Sequence, residues 1–228
     1  MDGTGTQKAD VIWRDGDVPV SVLFDDPYFS RADGMAETRH VFLAGNGLPE
    51  RFRPGFHIAE LGFGCGLNAL AAADAWRTAG MSGALRFTSF EAWPVDAADM
   101  ARALAGWPEL APLAGPLVAA WSEGSRRIAL PGLDLDIIEG DARETLPGWT
   151  GRADAWFLDG FSPARNPELW EPGLLARVAR HTRPGGTFAT YSAASAIREA
   201  LASAGFHVTR AVGFGAKKHM SRGVLRVS

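Results

Sequence analysis

Cysteine is nearly missing from this chain: Cys65 is the only one among 228 residues. A single thiol excludes an internal disulfide and a cysteine-cluster zinc site, leaves no metal site to expect, and suits a reducing cytoplasm. An excess of positive charge is missing as well, the formal net charge being −3. Contact with nucleic acid therefore has to come from a local patch, not from the field of the whole molecule. No apolar run approaches the ~18 residues of a membrane helix, and no basic-then-apolar leader opens the sequence, so neither a membrane span nor a signal peptide is expected. Repeats and low-complexity segments are also lacking. What is present, 46% apolar and 21% charged residues, is ordinary for a globular protein. The length fits one domain, residues 1–228, with an extension over 17–54 and a core over 55–228.

The chain is organised around Ile58-Ala59-Glu60-Leu61-Gly62-Phe63-Gly64-Cys65-Gly66-Leu67-Asn68-Ala69-Leu70. An apolar run passes through an acid into three alternating glycines and an alanine-rich amphipathic segment, which predicts strand, tight turn and helix N-terminus. A dinucleotide fold wants G-x-G-x-x-G with a pyrophosphate on the helix N-terminus. Here the pattern is G-x-G-x-G preceded by Glu60, whose carboxylate would repel a pyrophosphate and accept from a cationic amino-acid ammonium. S-adenosylmethionine carries that group, and E-L-G-x-G-x-G resembles motif I of class I methyltransferases. Cys65 reads as a small loop residue, since no paired base is identifiable.

Upstream, residues 1–16 are small and polar, with a mobile start expected, and Val18 to Phe24 alternates like a strand. Phe24-Asp25-Asp26-Pro27-Tyr28-Phe29-Ser30 sets two carboxylates between aromatics at a proline turn, a surface turn on the plainer reading. A helix over 34–48 should carry Glu37 and Arg39 and end at Gly45-Asn46-Gly47. Downstream, Leu85 to Glu91 reads as a second strand, its terminal acid placed for ribose hydroxyls. Leu133 to Glu139 reads as a third strand, running into Asp141-Ala142, where an aspartate can accept from an adenine amino group or cap a helix. Between them, 107–130 lacks a clean period and reads as an irregular connection carrying Arg126 and Arg127. Ala155-Trp156-Phe157-Leu158 reads as a strand buried on both faces that delivers Asp159. Thr187 to Tyr191 and a closing antiparallel pair, Phe206 to Arg210 with Val224 to Val227, complete an α/β doubly wound sheet. Glu60, Glu91, Asp141 and Asp159 all fall at strand ends and should converge.

Those residues resemble the family that completes 5-methylaminomethyl-2-thiouridine at the wobble position of certain tRNAs. The shared blocks are Phe24 to Ser30, Glu37-Thr38-Arg39 with Val41 to Asn46, Glu60 to Asn68, Asp154 to Pro163 with Asn166-Pro167, and Gly213-Phe214-Gly215 with Lys217 and Lys218. The family commonly has threonine where Cys65 stands and phenylalanine where Ala69 stands. The resemblance implies a Rossmann-like, cytoplasmic enzyme that moves a methyl from S-adenosylmethionine to an exocyclic amine in a tRNA anticodon loop. It implies cofactor contacts from Glu60, Gly62, Phe63, Gly64, Gly66, Asn68, Glu91, Asp141, Ala142 and Asp159, with Asp159 also orienting the amine and receiving its proton. Substrate contacts would come from Phe24, Asp25, Asp26, Tyr28, Phe29, Glu37, Arg39, Phe161, Asn166, Lys217 and Lys218, with Trp170 a further stacking candidate. Many members are fused to a flavin-dependent oxidase that prepares the substrate; this chain reads as the stand-alone form. An amine or polyamine transferase on the same fold, or a non-catalytic RNA-binding module, are the alternatives these residues leave open.

Overall fold

Residues 8–14, 17–30 and 33–227 are described by a computed structural model. The expected mobile start falls largely on residues outside these. The described part begins with three short strands, β1 (Val11–Arg14), β2 (Val18–Ser21) and β3 (Asp26–Pro27), which form a small antiparallel sheet. The strand expected to reach Phe24 stops at Ser21, because residues 22–25 turn and Asp25 takes a positive φ of 46°. Next comes α1 (Gly34–Glu37), capped by Asp33, whose carboxylate accepts from Ala36 N at 2.9 Å. It continues as a π-helical turn over Thr38–Leu43 and a 3-10 turn over Ala44–Asn46, then stops at Gly47 with φ 65°. The expected helix is therefore present but overwound and unwound along its length, a distortion that often accompanies functional sites.

The core alternates as its sequence requires. It comprises β4 (His57–Leu61), α2 (Leu67–Thr78), β5 (Leu85–Glu91), α3 (Ala97–Leu104), α4 (Ala111–Ser122), β6 (Arg127–Leu130), β7 (Leu133–Glu139), α5 (Ala142–Thr145), β8 (Ala153–Leu158), α6 (Pro172–Arg180), β9 (Thr182–Thr190), α7 (Ser195–Ser203), β10 (Phe206–Val212) and β11 (His219–Leu225). Their sheet runs β10-β11-β9-β8-β4-β5-β7-β6, parallel from β9 to β7 and antiparallel at both edges. Alternate residues feed two apolar clusters, one on each face: Ile58, Phe87 and Phe157 on one side, Ala59, Phe90 and Trp156 on the other. α2 is rich in alanine because it lies closely on the sheet, with Ala69, Ala71, Ala72 and Ala73 buried.

The stretch 107–130 corrects the expectation of an irregular connection, since it holds α4 and the edge strand β6. Pro112 sits in the first turn of α4, where its missing N–H costs nothing. Pro116 breaks the sequence period, yet Leu113, Leu117 and Trp121 still face the core. Gly185-Gly186 lies within β9 as an irregularity against β8, the register slipping between Ala153↔Thr182 and Ala155↔Thr187. The predicted closing pair is present, Phe206 facing Leu225. Strand order reverses beside β4, so a crevice opens where the carboxyl ends of β4 and β8 part.

Candidate active site

That crevice holds a cavity of about 700 Å³, within the range of small-molecule sites. Its floor begins where β4 gives way to the glycine loop. Gly62 donates to Phe90 O at 2.9 Å, and Asp159 N donates to Leu61 O at 3.1 Å, so loop and β8 terminus are stitched together. Gly62 has φ +90°, and a Cβ there would run into the Asp159 carbonyl. Only glycine fits.

Asn68, on the first turn of α2, ties the floor together. Its amide donates to Glu60 Oε1 at 2.9 Å and to Asp159 Oδ2 at 2.6 Å, while its oxygen accepts from the Thr38 hydroxyl at 2.7 Å. Ser89 completes Glu60 at 2.7 Å. Burial drives the Glu60 carboxyl well above its ordinary range, opposed by Ser89 and aggravated by Asp159. Glu60 is fully buried and outside the cavity lining. This differs from the expected direct cofactor contact: β4 turns its last acid inward, and Asn68 stands between it and the cavity.

Asp159 does line the cavity. Burial first, and then the charge of Glu37, push its carboxyl up to about 7, with Asn68 and Lys217 pulling the other way. Glu91 lines it too, accepting from Gly64 N at 2.9 Å and Trp93 N at 2.7 Å; burial raises its carboxyl against those backbone donors. Both oxygens keep further lone pairs for a diol. Gly140, Asp141 and Ala142 close the far end of the cavity. Asp141 caps α5 at 2.8 Å and pairs with the Arg143 guanidinium at 2.6 Å, which holds its carboxyl low. The capping alternative is thus the one its side chain adopts.

The roof comes from the N-terminal strands and the turn after β8. Phe24 stacks on Phe161 at 4.7 Å, Tyr28 meets the same ring edge-on at 5.1 Å, and Trp93 meets Phe24 at 6.3 Å. Asp26 accepts from Ser162 N at 2.7 Å, fastening the roof to that turn. Phe29, Glu37, Phe63, Gly64, Asn166 and Lys217 also face the cavity.

Four expected substrate contacts do not fit as expected. Asp25 turns outward at its positive φ to Arg14 at 3.1 Å and Arg165 at 3.0 Å, and these hold its carboxyl low. Arg39 and Lys218 are exposed and outside the lining. Trp170 is buried beneath the roof, its indole donating to Phe161 O at 2.9 Å. Lys217, also expected to meet substrate, is paired within the protein: its Nζ is 3.0 Å from Glu37 Oε1 and 3.8 Å from the centre of the Tyr191 ring. Tyr191 itself escaped sequence reading; the only signal was its place at the carboxyl end of β9, the neighbour of β8.

The residues suit S-adenosylmethionine. Gly62 and Gly64, both at positive φ, line the cavity and permit close approach, whereas Gly66, expected as a further contact, is buried outside the lining against Phe63 and Leu117. A carboxylate pair, Glu91 and Asp159, faces the space where a cationic, diol-bearing ligand needs acceptors. Residues 108–226, just over half of the chain, match the family described as "S-adenosyl-L-methionine-dependent methyltransferase". The chain belongs to that family. This methyltransferase is 48% identical over 223 residues to the "tRNA 5-methylaminomethyl-2-thiouridine biosynthesis bifunctional protein MnmC" of Caulobacter vibrioides, covering 94% of this chain and 38% of that protein. The protein of the same name from Chromobacterium violaceum is 46% identical over 226 residues, covering 94% of this chain and 34% of its own. This methyltransferase thus spans little more than a third of those relatives. A crystal structure of MNMC2 from Aquifex aeolicus superposes with a TM-score of 0.75 at 23% identity over 97% of this chain and 71% of that one, a likeness of fold. Among the described residues no helix is long and apolar enough to cross a membrane.

Proposed function

We propose that this methyltransferase acts on the exocyclic amine of 5-aminomethyl-2-thiouridine at the tRNA wobble position, giving 5-methylaminomethyl-2-thiouridine. The observation that carries this reading is Asp159, a cavity carboxylate whose proton affinity is raised to about 7 beside the glycine loop. Support for the substrate comes from the names of the two bifunctional relatives. S-adenosylmethionine, when bound, supplies an electrophilic methyl on a sulfonium sulfur. Glu91 and Gly64 would hold its ribose, Gly62, Phe63 and Asn68 its methionine part, and Ala142 its base. Asp159 orients the acceptor amine and takes up its proton, which a base titrating near neutrality does well.

A wobble base must leave the anticodon stack to reach such a floor, and Phe24, Tyr28 and Phe161 offer aromatic faces in exchange. In this reading residues 17–54 form the substrate-side extension on the 55–228 core. The phosphate patch passes from Lys217 to Arg39 and Lys218. The ring of His40 bonds Val212 O at 2.9 Å, bringing the helix of Arg39 beside the hairpin of Lys218. The aminomethyl group would be prepared by a flavin-dependent oxidase activity, in the cytoplasm. The test is to incubate the protein with S-adenosylmethionine and tRNA carrying 5-aminomethyl-2-thiouridine, with polyamines in parallel, and to identify the product by nucleoside mass spectrometry. A gain of one methyl group on the wobble nucleoside supports the reading; methylated polyamine with unchanged tRNA overturns it.

A further inference from the structure

Lys217 is a cation inside a cavity whose proposed chemistry calls for a different cation. Its ammonium rests against the Glu37 carboxylate at 3.0 Å and over the Tyr191 ring at 3.8 Å. Both partners are fixed. Glu37 is buried at the start of the π-helical turn, and the Tyr191 hydroxyl donates to Gly160 O at 2.6 Å, pinning the ring with its face to the cavity. A carboxylate and an aromatic face close to a second carboxylate, Asp159, form an ammonium receptor. The lysine itself is not fixed in the same way: its side chain is 45% exposed, it follows Gly215 at φ +57°, and its four-carbon stem can swing out to solvent.

We propose that Glu37 and the face of Tyr191 are the subsite for a primary ammonium on the acceptor, and that Lys217 fills this subsite until the acceptor displaces it. The proposal rests on the acceptor being an amine. Exchange of one ammonium for another leaves the charge of the cavity unchanged, so no carboxylate is stranded while the acceptor enters. Once seated, the acceptor loses one N–H bond as its proton passes to the Asp159 carboxylate, where an O–H bond forms and the nitrogen lone pair is released. The groups facing Asp159 during this step are Asn68 from α2, Glu37 from α1, Lys217 from the turn before β11, Tyr191 after β9, and Glu60 of β4 across the shared Asn68 amide. An acceptor with a hydroxyl in place of the amine cannot displace the lysine. One with a carboxylate would pair with it instead, so the subsite selects the amine.

Two measurements test this independently of each other. In ¹⁵N NMR of the side-chain ammonium groups, with Lys217 assigned by its disappearance in Lys217→Met, the nucleoside 5-aminomethyl-2-thiouridine should move the Lys217 signal to the position of a solvated lysine. The 5-hydroxymethyl analogue should leave it in place. A signal that ignores the amine, or answers both nucleosides alike, overturns the proposal, and this readout stands even if tRNA proves not to be the substrate. In methyl transfer, Lys217→Met should lower the KM for amine-bearing tRNA about threefold or more by removing the competitor, whereas Glu37→Gln should raise it about tenfold. A KM that is unchanged or raised in Lys217→Met overturns the proposal. If that rise came with a salt slope smaller by about one, Lys217 would be a phosphate contact.

Discussion

The floor and the roof of the cavity are built on different physics. Floor residues Glu60, Asn68, Thr38 and Asp159 share one hydrogen-bonded chain in which each distance is between 2.6 and 2.9 Å. Three of the four are buried, and the glycine loop locks on top of them. The roof has aromatic edges and faces at 4.7 to 6.3 Å, one part-buried hydrogen bond from Ser162 N to Asp26, and rim ion pairs in which Asp25 is 48% exposed. A largely buried hydrogen-bonded network resists displacement because any freed group loses water as well as its partner. Stacked rings on an exposed rim can shift at small cost. The floor is thus suited to holding reacting groups still, and the roof to admitting a large substrate.

Substitutions should separate the two. Gly62→Ala, which would press a methyl against the Asp159 backbone at φ +90°, should cost about 3 kcal/mol of stability by denaturant titration; a cost below ~1 kcal/mol would mean the floor yields as easily as the roof. Asn68→Ala frees Glu60 and Asp159 together and should cost about 2 kcal/mol. Because Asn68 also holds the Asp159 carboxyl down, the acid limb of the pH–rate profile should move upward in the same variant. Phe161→Ala should cost only about 1 kcal/mol of stability while raising the KM for tRNA about tenfold, as the loss of one stacked base would. Arg165→Ala, breaking an exposed pair with Asp25 that Arg14 still serves, should change stability by less than ~0.5 kcal/mol. A larger effect would make the roof a structural clamp.

The two regions also differed in how far the sequence disclosed them. Floor residues are neighbours of strand ends and a glycine motif, so periodicity and spacing bring Gly62, Glu91 and Asp159 to one place without knowledge of distant contacts. The direction of each side chain was not disclosed: Glu60 and Asp159 end adjacent parallel strands, yet Asn68 covers the first and exposes the second. For the roof, the block Phe24 to Ser30 was legible as a motif, but the outward turn of Asp25 depends on a positive φ and on Arg165, 140 positions away. The pairing of Lys217 is hidden in the sequence because its partner Glu37 lies 180 positions upstream. Between 107 and 130, two prolines masked a helix whose buried face is set by packing rather than by propensity.

The central claim is that Asp159, ionised, accepts the proton of the acceptor amine. Its carboxyl is raised from 3.8 to about 7 in the fold, so the folded protein binds this proton more tightly than the unfolded chain. The site's contribution to stability is then greatest below pH ~4 and is lost as pH rises towards about 7. Catalysis should run opposite to stability, since only the ionised form can take the proton. The decisive measurement is kcat/KM for amine-bearing tRNA from pH 5.5 to 9 in the wild type and in Asp159→Asn, with cofactor affinity measured by calorimetry in both. The account predicts a wild-type rate that climbs through a limb near 7 and a variant that still binds S-adenosylmethionine, lacks that limb, and is slower by about 10²–10⁴-fold at saturating cofactor. A variant that keeps both the limb and the rate would contradict it.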